Sequence, residues 1–186
     1  MSLTRQDTAI PGVWLLAPQV HGDERGFFMQ TYQTREYAAA GMDRVFVQDN
    51  LSRSRRDTVR GLHYQLRHPQ AKLVSVLRGA VLDVVVDIRQ GSPTFGRFVA
   101  VELSEENRRQ LYIPEGFAHG FRVLSDVADF HYKCTDFYAP GDEYGVLWND
   151  PDLGIAWGGI AAPVVSAKDR QLPRLAEVPP EHLPAY

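Results

Sequence analysis

The chain has 186 residues, 44% of them hydrophobic, and a formal net charge of −3, which favours one domain with a buried core and gives no strong positive field for nucleic acid or an anionic membrane. Its single cysteine, Cys134, excludes an internal disulfide and is typical of a reducing compartment. No apolar run resembles a signal peptide or approaches the roughly 20 residues of a membrane span. We therefore expect a soluble, cytoplasmic protein with a single domain over residues 1–186, a core at about 11–174 and a surface tail at 175–186.

Short strands separated by turns dominate the chain from its N-terminus onwards. The strands are predicted, in chain order, at 13–17, 27–32, 45–51, 80–88, 97–103, 110–113, 120–124 and 128–135. The clearest helix in the first half is predicted at 35–40, with Thr34 as its cap and Gly41 at its end. The basic run at 52–57 is predicted to form a polar turn. Helices are too few for βαβ units, so the pattern predicts an all-β sandwich or barrel.

The segment 80–88 shows the strand periodicity most clearly. Val84 and Val86 fall on one face, whereas Asp83 and Asp87 fall on the other. This alternation predicts a strand whose two faces meet different surroundings.

The stretch 60–119 contains the polar side chains that are best suited to binding or catalysis. His63 and Gln65 share one strand face, and Lys72 and Val74 share a face of another strand. If both faces line the inside of one barrel, basic groups line a pocket with apolar walls. Buried charge is costly unless it meets a partner or a ligand, so this stretch predicts a binding or catalytic site.

The beginning of this stretch resembles the first motif of the cupin superfamily, which has His-x-His, then Glu, then six intervening residues and Gly. His63 and Gly79 match it, but Gln65 stands at the second His position and Lys72 at the Glu position. The resemblance implies a cupin-type double-stranded β-helix, or jelly-roll, barrel with a few short helices. An ammonium in place of a carboxylate repels a metal ion, so the site is expected to be metal-free.

The end of the stretch resembles the second cupin motif, Pro-x-Gly-x-x-His. Pro114, Gly116 and His119 match this motif in full. Together the two motifs favour the barrel while leaving only two of the four usual metal ligands.

A closer resemblance covers nearly the whole chain, from about Pro11 to Arg174. The segments that carry it are, in order, 25–28, 48–50, 60–65, 70–72, 85–96, 113–121, 132–133, 136–138 and 166–170. Together they resemble the dTDP-4-dehydrorhamnose 3,5-epimerase family. This resemblance implies a dTDP-linked 4-keto-6-deoxy sugar as substrate, inverted at C3 and C5 through enolates, with no cofactor because the substrate's own ketone accepts the electrons.

The resemblance also implies four catalytic residues. His63 is the base, a role that suits imidazole because it exchanges a proton near neutral pH. Asp169 orients that ring and stabilises its protonated form. Tyr132 is the acid on the other face of the sugar, and Lys72 stabilises the enolate. Taken singly, each also has a simpler structural interpretation, such as an aromatic core residue for Tyr132.

The substrate-binding positions implied by the resemblance are spread along the chain. They are Arg25, Phe28, Gln30, Gln48, Asp49, Asn50, Arg60, Lys72, His119, Tyr138, Glu143 and Lys168. Arg60 and His119 are assigned to the diphosphate and sugar, and Tyr138 to stacking on thymine.

The N-terminal strand is expected to act across a dimer interface. The resemblance implies that Arg25 reaches into the pocket of a second subunit, and the run 27–29 is too apolar for the outer face of a monomer. We therefore expect a homodimer. Gln30 departs from the family, which usually has Glu at this position.

Several alternatives to the double epimerase remain open. A single-centre 3- or 5-epimerase of an antibiotic deoxysugar pathway would share the barrel and most of the motifs. A 3,4-ketoisomerase is less compatible with the set of His63, Asp169 and Tyr132, and a non-catalytic sugar-nucleotide-binding cupin would need the acid or base to be missing. A metal-dependent oxygenase is disfavoured by Lys72.

Overall fold

The computed structural model describes residues 3–160 and 162–186, which form thirteen strands, one α-helix and three 3-10 turns. The strands are β1 (Leu3–Asp7), β2 (Trp14–Pro18), β3 (Val20–Asp23), β4 (Gly26–Met29), β5 (Gln48–Arg55), β6 (Val59–Gln65), β7 (Lys72–Arg78), β8 (Ala80–Asp87), β9 (Phe98–Ser104), β10 (Gln110–Ile113), β11 (Phe117–Val123), β12 (Val127–Cys134) and β13 (Glu143–Gly145). The helix is α1 (Thr34–Ala39), and the 3-10 turns cover Asp169–Gln171, Leu175–Glu177 and Pro180–His182. Among the described residues, no helix has the length and apolar content needed to cross a membrane.

Two antiparallel sheets form the body of the fold. Six strands pair in the order β1-β2-β10-β7-β12-β5 and five in the order β13-β6-β11-β8-β9, while β3 and β4 form a separate hairpin. Side chains of both sheets meet between them, including Val74 and Phe130 from the first and Val85 and Phe121 from the second. Two packed antiparallel sheets with little helix confirm the predicted all-β jelly-roll barrel.

The C-terminal part of the chain covers the outer face of the five-stranded sheet. Val84 on this face packs in one cluster with Trp157, Leu175 and Val178. Because β8 presents Val84 and Val86 on its outer face, that face needs a cover. The tail at 175–186 is therefore more than the expected surface segment, since Leu175 and Val178 are both 7% exposed.

Helix α1 covers part of the outer face of the six-stranded sheet. Its buried Tyr37 packs in one cluster with Leu16 of β2. The cap lies one residue earlier than predicted, because the Gln33 side chain accepts a hydrogen bond from the Glu36 N–H at 2.8 Å and Thr34 is the first helical residue.

Strand β5 continues through most of the segment predicted as a polar turn at 52–57, and ends only at Arg55. Arg53 forms a two-point ion pair with Asp129 on the neighbouring β12, with Nε–Oδ1 and Nη2–Oδ2 distances of 2.6 and 2.7 Å. Cross-strand charge pairing therefore allows a basic sequence to extend the sheet.

A buried carboxylate ties the end of β8 to the turn that follows it. Asp87 accepts hydrogen bonds from the hydroxyls of Ser92 and Thr94, both at 2.6 Å, and from Arg89 Nη2 at 2.7 Å. Burial acts to raise the pKa of Asp87, but these donors outweigh it and lower the pKa from 3.8 to about 2. The ionised carboxylate is thus part of the folded structure.

We predict that Asp87→Asn destabilises the protein by on the order of 2 kcal/mol at neutral pH. Because the folded-state pKa lies below the unfolded value, the stabilisation is present above about pH 4 and is lost as the pH falls towards 2. Urea denaturation from pH 7 down to pH 3 should show the difference from the unmodified protein shrinking. The exposed Asp152→Asn is the control, and an equal loss of stability in both variants at pH 7 would contradict the prediction.

Candidate active site

A cavity of about 870 Å³ opens between the two sheets. Of the fifteen residues predicted for catalysis or binding, the eleven that line it are Gln48, Asn50, Arg60, His63, Lys72, His119, Tyr132, Tyr138, Glu143, Lys168 and Asp169. These residues come from both sheets and from the C-terminal segment, so the cavity exists only once the barrel has closed.

His63 and Asp169 form a hydrogen-bonded pair on one wall. His63 lies on β6, and its Nε2 is 2.8 Å from Asp169 Oδ1. Burial acts to raise the pKa of Asp169, but the hydrogen bonds from His63 and from the Gly61 N–H outweigh it and hold the pKa below its ordinary value. The ionised carboxylate therefore accepts the Nε2–H, which leaves Nδ1 as the ring nitrogen free to take a proton.

The backbone around Asp169 is anchored to the beginning of β6. The Val164 N–H donates to Asp57 O and the Val59 N–H donates to Val164 O, both at 2.9 Å. The Gly61 N–H then donates to the second carboxylate oxygen of Asp169 at 3.3 Å. These hydrogen bonds join two parallel segments, at 57–59 and at Val164. They bring Asp169, which is 106 positions from His63 in sequence, within hydrogen-bond distance of the His63 ring.

His119 forms a second histidine–aspartate pair on the same wall. It lies opposite His63 in the β6–β11 register, and its Nε2 is 3.0 Å from Asp83 Oδ2. Asp83 is fully buried on the inner face of β8. The strand periodicity places Asp83 on the face opposite Val84 and Val86, but no role in the site was predicted for it; the signal was an acidic residue flanked by Leu82 and Val84 in a strand.

Tyr132 lies on the opposite wall, on β12 of the six-stranded sheet. Burial raises the pKa of its hydroxyl, as do the nearby Cys134 and Glu143, and the positive charge of Arg60 opposes this effect. The hydroxyl therefore keeps its proton at neutral pH. A proton acceptor on one sheet thus faces a proton donor on the other.

Lys72 brings a cationic group into the same cavity. Its Nζ donates to Gln70 Oε1 at 3.3 Å, and it pairs in register with Cys134 on β12. Burial lowers the pKa of Lys72, whereas the neighbouring Cys134 and Glu143 act to raise it. Cys134, predicted to be a small apolar filler, is 1% exposed; it also belongs to the cavity wall, and its Sγ lies 3.7 Å from Asn50 Nδ2.

The open end of the cavity carries polar and aromatic groups suited to a nucleotide. Tyr138 is 54% exposed there, and its N–H donates to Gln48 Oε1 at 2.9 Å. Glu143 forms an ion pair with Lys168, and Glu143 Oε1 lies 3.9 Å from His63 Nδ1. Glu143 and Lys168 therefore add one negative and one positive formal charge to the cavity wall.

Asp49 does not line the cavity, in contrast to the expectation that it binds substrate. Its two neighbours in sequence, Gln48 and Asn50, point inwards, whereas Asp49 points outwards from β5 and pairs with Lys133 at 2.7 Å. Successive strand residues face opposite sides of a sheet, so all three cannot line one cavity.

Arg25, Phe28 and Gln30 are also remote from this cavity. Arg25 and Phe28 belong to the β3–β4 hairpin, where Arg25 pairs with Asp23 and Phe28 is 71% exposed. Strand β4 ends before Gln30, whose Nε2 donates to Glu36 of α1 at 3.1 Å. A single chain therefore does not bring these three residues to the site.

Several other residues of the cavity wall had no predicted ligand role. These are Ser52, Thr58, Val59, Tyr64, Gln65, Gln70, Gly120, Phe121, Phe130, Cys134, Val164, Val165 and Ser166. Ser52 was missed because the segment 52–57 was predicted to be a turn, whereas Ser52 lies on strand β5. Across residues 3–160 and 162–186, no group of three or more His, Cys, Asp or Glu side chains has an arrangement that would hold a metal ion.

Comparisons with known proteins agree with this geometry. The family model for dTDP-4-dehydrorhamnose 3,5-epimerase matches residues 7–177. A dTDP-4-dehydrorhamnose 3,5-epimerase from Pseudomonas aeruginosa is 56% identical over 164 residues, which are 88% of this chain and 91% of that protein.

Solved structures show the same similarity in three dimensions. A dTDP-6-deoxy-D-glucose-3,5-epimerase from Legionella pneumophila, in complex with dTDP-4-keto-L-rhamnose, is 49% identical with a TM-score of 0.97 and covers 99% of this chain and 98% of its own. A 3'-monoepimerase from Streptomyces bikiniensis, in complex with dTDP-quinovose, is 39% identical with a TM-score of 0.90 and covers 96% and 92%. With a family match over most of its length and relatives of about half-identical sequence, the chain belongs to the dTDP-4-dehydrorhamnose 3,5-epimerase family.

Proposed function

We propose that this protein inverts C3 and C5 of a dTDP-linked 4-keto-6-deoxy-hexose, converting dTDP-4-dehydro-6-deoxy-D-glucose to dTDP-4-dehydro-L-rhamnose. The observation that carries the proposal is one cavity with the hydrogen-bonded His63–Asp169 pair on one wall and the protonated Tyr132 hydroxyl on the other. Inversion needs a base on one face of the sugar ring and an acid on the other, and this arrangement supplies both.

Each inversion is a balanced exchange of protons. His63 takes the proton from a carbon next to the C4 ketone, and the electron pair of the broken C–H bond moves into the carbonyl to give an enolate. Tyr132 then gives its hydroxyl proton to the same carbon from the other face. The imidazolium and the tyrosinate exchange protons with solvent to restore the starting state, and Asp169 stabilises the imidazolium while it exists.

Lys72 is the cation assigned to the enolate oxygen. A preorganised charge that stabilises the charge developing in the transition state often lowers the barrier more than any other single effect. The role is supported by the position of Lys72 within the cavity, next to Gln70 and in register with Cys134. No cofactor enters this scheme, because the substrate's carbonyl accepts the electrons.

The remaining cavity residues are assigned to substrate binding. Arg60 and His119 are assigned to the diphosphate and sugar, and Tyr138 to the thymine ring. The further ligands are Gln48, Asn50, Glu143 and Lys168, all of which line the same cavity.

We predict that His63→Ala and Asp169→Ala lose roughly 10²–10⁴-fold in kcat, the usual contribution of a general acid–base group, while dTDP still binds. A coupled assay with a reductase that acts on the epimerised product measures kcat, and calorimetry measures dTDP binding. His182→Ala is the control, because His182 packs against Tyr144, outside the cavity lining. Substantial turnover by a folded His63→Ala would remove the base assignment.

A single-centre epimerase is the second candidate, favoured by the similarity to the Streptomyces bikiniensis 3'-monoepimerase. We predict that incubation in deuterated water labels the keto sugar at both C3 and C5, since each proton removed from carbon exchanges with solvent. Mass spectrometry or NMR of the product locates the label. The His63→Ala variant gives the uncatalysed background, and label at C3 alone after long incubation would assign the protein to the single-centre class.

We further propose that the protein is a homodimer in which the β3–β4 hairpin reaches the pocket of a second copy. Phe27 and Phe28 are 58% and 71% exposed, and such adjacent aromatic surface is typical of an interface. This arrangement gives Arg25 a route to a cavity that it does not reach within its own chain. Gln30 and Asp49 do not line the cavity of their own chain, so they are proposed as substrate-binding residues only as part of this dimer.

We predict that light scattering at micromolar concentration gives twice the mass of one chain, and that Phe28→Asp shifts the protein to a monomer. Burying an unpaired carboxylate in an interface costs more than the contact returns. Phe95→Asp is the control, because Phe95 is 43% exposed in the turn after β8. A monomeric unmodified protein would contradict the proposal.

A cytoplasmic location and a single domain over residues 1–186 belong to the same proposal. The single cysteine supports a reducing compartment, and the family match over residues 7–177 supports one domain.

A further inference from the structure

Gln65 is a buried polar residue of the cavity that the proposed reaction does not use. It lies two residues after His63 on β6, at the position where the cupin motif has its second histidine, and it is 6% exposed. Both ends of its amide are engaged. Oε1 accepts from the Ala139 N–H at 3.0 Å, and Nε2 donates to His68 O at 2.7 Å and Phe137 O at 3.3 Å.

These hydrogen bonds hold the backbone on both sides of Tyr138. Phe137 is fixed through its carbonyl and Ala139 through its N–H, and both bonds go to Gln65. The N–H of Tyr138 itself goes to Gln48 Oε1 at 2.9 Å. Two glutamines on opposite sheets therefore fix three consecutive residues, although the Tyr138 side chain is 54% exposed and has little packing of its own.

A buried carboxylate fixes the third partner of this network. Asp142 is 1% exposed and accepts the N–H of Arg67 at 2.9 Å and of His68 at 2.8 Å. The His68 carbonyl accepts the hydrogen bond from Gln65 Nε2, and the His68 N–H is bound by Asp142, which follows the loop 137–139 in the chain. Gln65 links the same two segments, at His68 and at 137–139, from the inside of the barrel.

We propose that Gln65 is a positioning residue for nucleotide binding, acting through Tyr138. Where the superfamily motif has a metal-binding imidazole, this chain has an amide that holds the loop 137–139 ready for the base. The inference rests on the proposed function, because it assigns Tyr138 to stacking on thymine. A loop that is only partly in its binding-competent arrangement weakens the apparent affinity by that fraction, and the Gln65 amide removes this penalty.

The test is a double-mutant cycle on dTDP binding, measured by calorimetry with Gln65→Met and Tyr138→Ala. Met has nearly the volume of Gln but neither of its polar groups. Gln65→Met should raise the dTDP Kd about tenfold in the unmodified background and less than about twofold in the Tyr138→Ala background. KM for the sugar nucleotide should rise in step while kcat changes by less than about threefold.

Gln90→Met is the matched control. The Gln90 Nε2 also holds a segment through two carbonyls, Pro180 O at 2.6 Å and Leu183 O at 3.1 Å, but it does so outside the cavity. This variant should leave the dTDP Kd unchanged. Hydrogen exchange of the 136–141 peptide should accelerate in Gln65→Met and not in Gln90→Met, since the Ala139 amide loses its acceptor.

Three results would overturn the inference. An equal rise of Kd in both backgrounds would show that Gln65 does not act through Tyr138, and an unchanged Kd in Gln65→Met would show that it does not act at all. If Gln65→Met fails to fold, Gln65→Glu is used in the same cycle, because its carboxylate keeps the acceptor for Ala139 but faces two carbonyls without a donor. Failure of the unmodified protein to bind dTDP is a separate outcome, which would overturn the proposed function and this inference with it.

Discussion

The pairing of charges inside the barrel is the constraint on which the rest of the structure depends. An unpaired ion at this depth would cost several kcal/mol, so each carboxylate on the inner face meets a donor. Asp83 pairs with His119, and Asp169 pairs with His63. His63 and His119 lie on the neighbouring strands β6 and β11 of one sheet, whereas Tyr132 lies on β12 of the other sheet.

Asp169 lies beside His63 because the C-terminal segment that carries it covers the outer face of the same sheet. Val84 is apolar on the outside of β8, and the C-terminal segment packs over this face through Val165, Trp157 and Leu175. That path takes the chain past the beginning of β6, where Asp169 meets the Gly61 N–H and the His63 ring. The same segment of chain therefore contributes to both the outer hydrophobic cluster and the proposed catalytic pair.

The two positions at which the chain departs from the superfamily's metal motif have separate consequences. Lys72 places a cation where a metal-binding carboxylate is expected, which suits an enolate oxygen better than a metal ion. Gln65 replaces an imidazole with an amide whose acceptor and donor both go to backbone groups around Tyr138. The same cavity thus contains a lysine and adjoins a hydrogen-bonded loop at 137–139, an arrangement matched to an anionic nucleotide sugar with an enolisable ketone.

The sequence by itself determined the fold class and the barrel motifs, because strand periodicity, turn residues and motif spacing are local properties of the chain. The residues of the proposed catalytic set are implied by the resemblance to the epimerase family and not by these patterns. It did not determine that Asp49 points away from Gln48 and Asn50, since that depends on which face of β5 the barrel encloses. It also held no sign that Asp83 would meet His119, or that Leu175 and Val178 would be buried. Those contacts join residues far apart in sequence, and only the closure of two sheets and the need to cover their apolar outer faces bring them together.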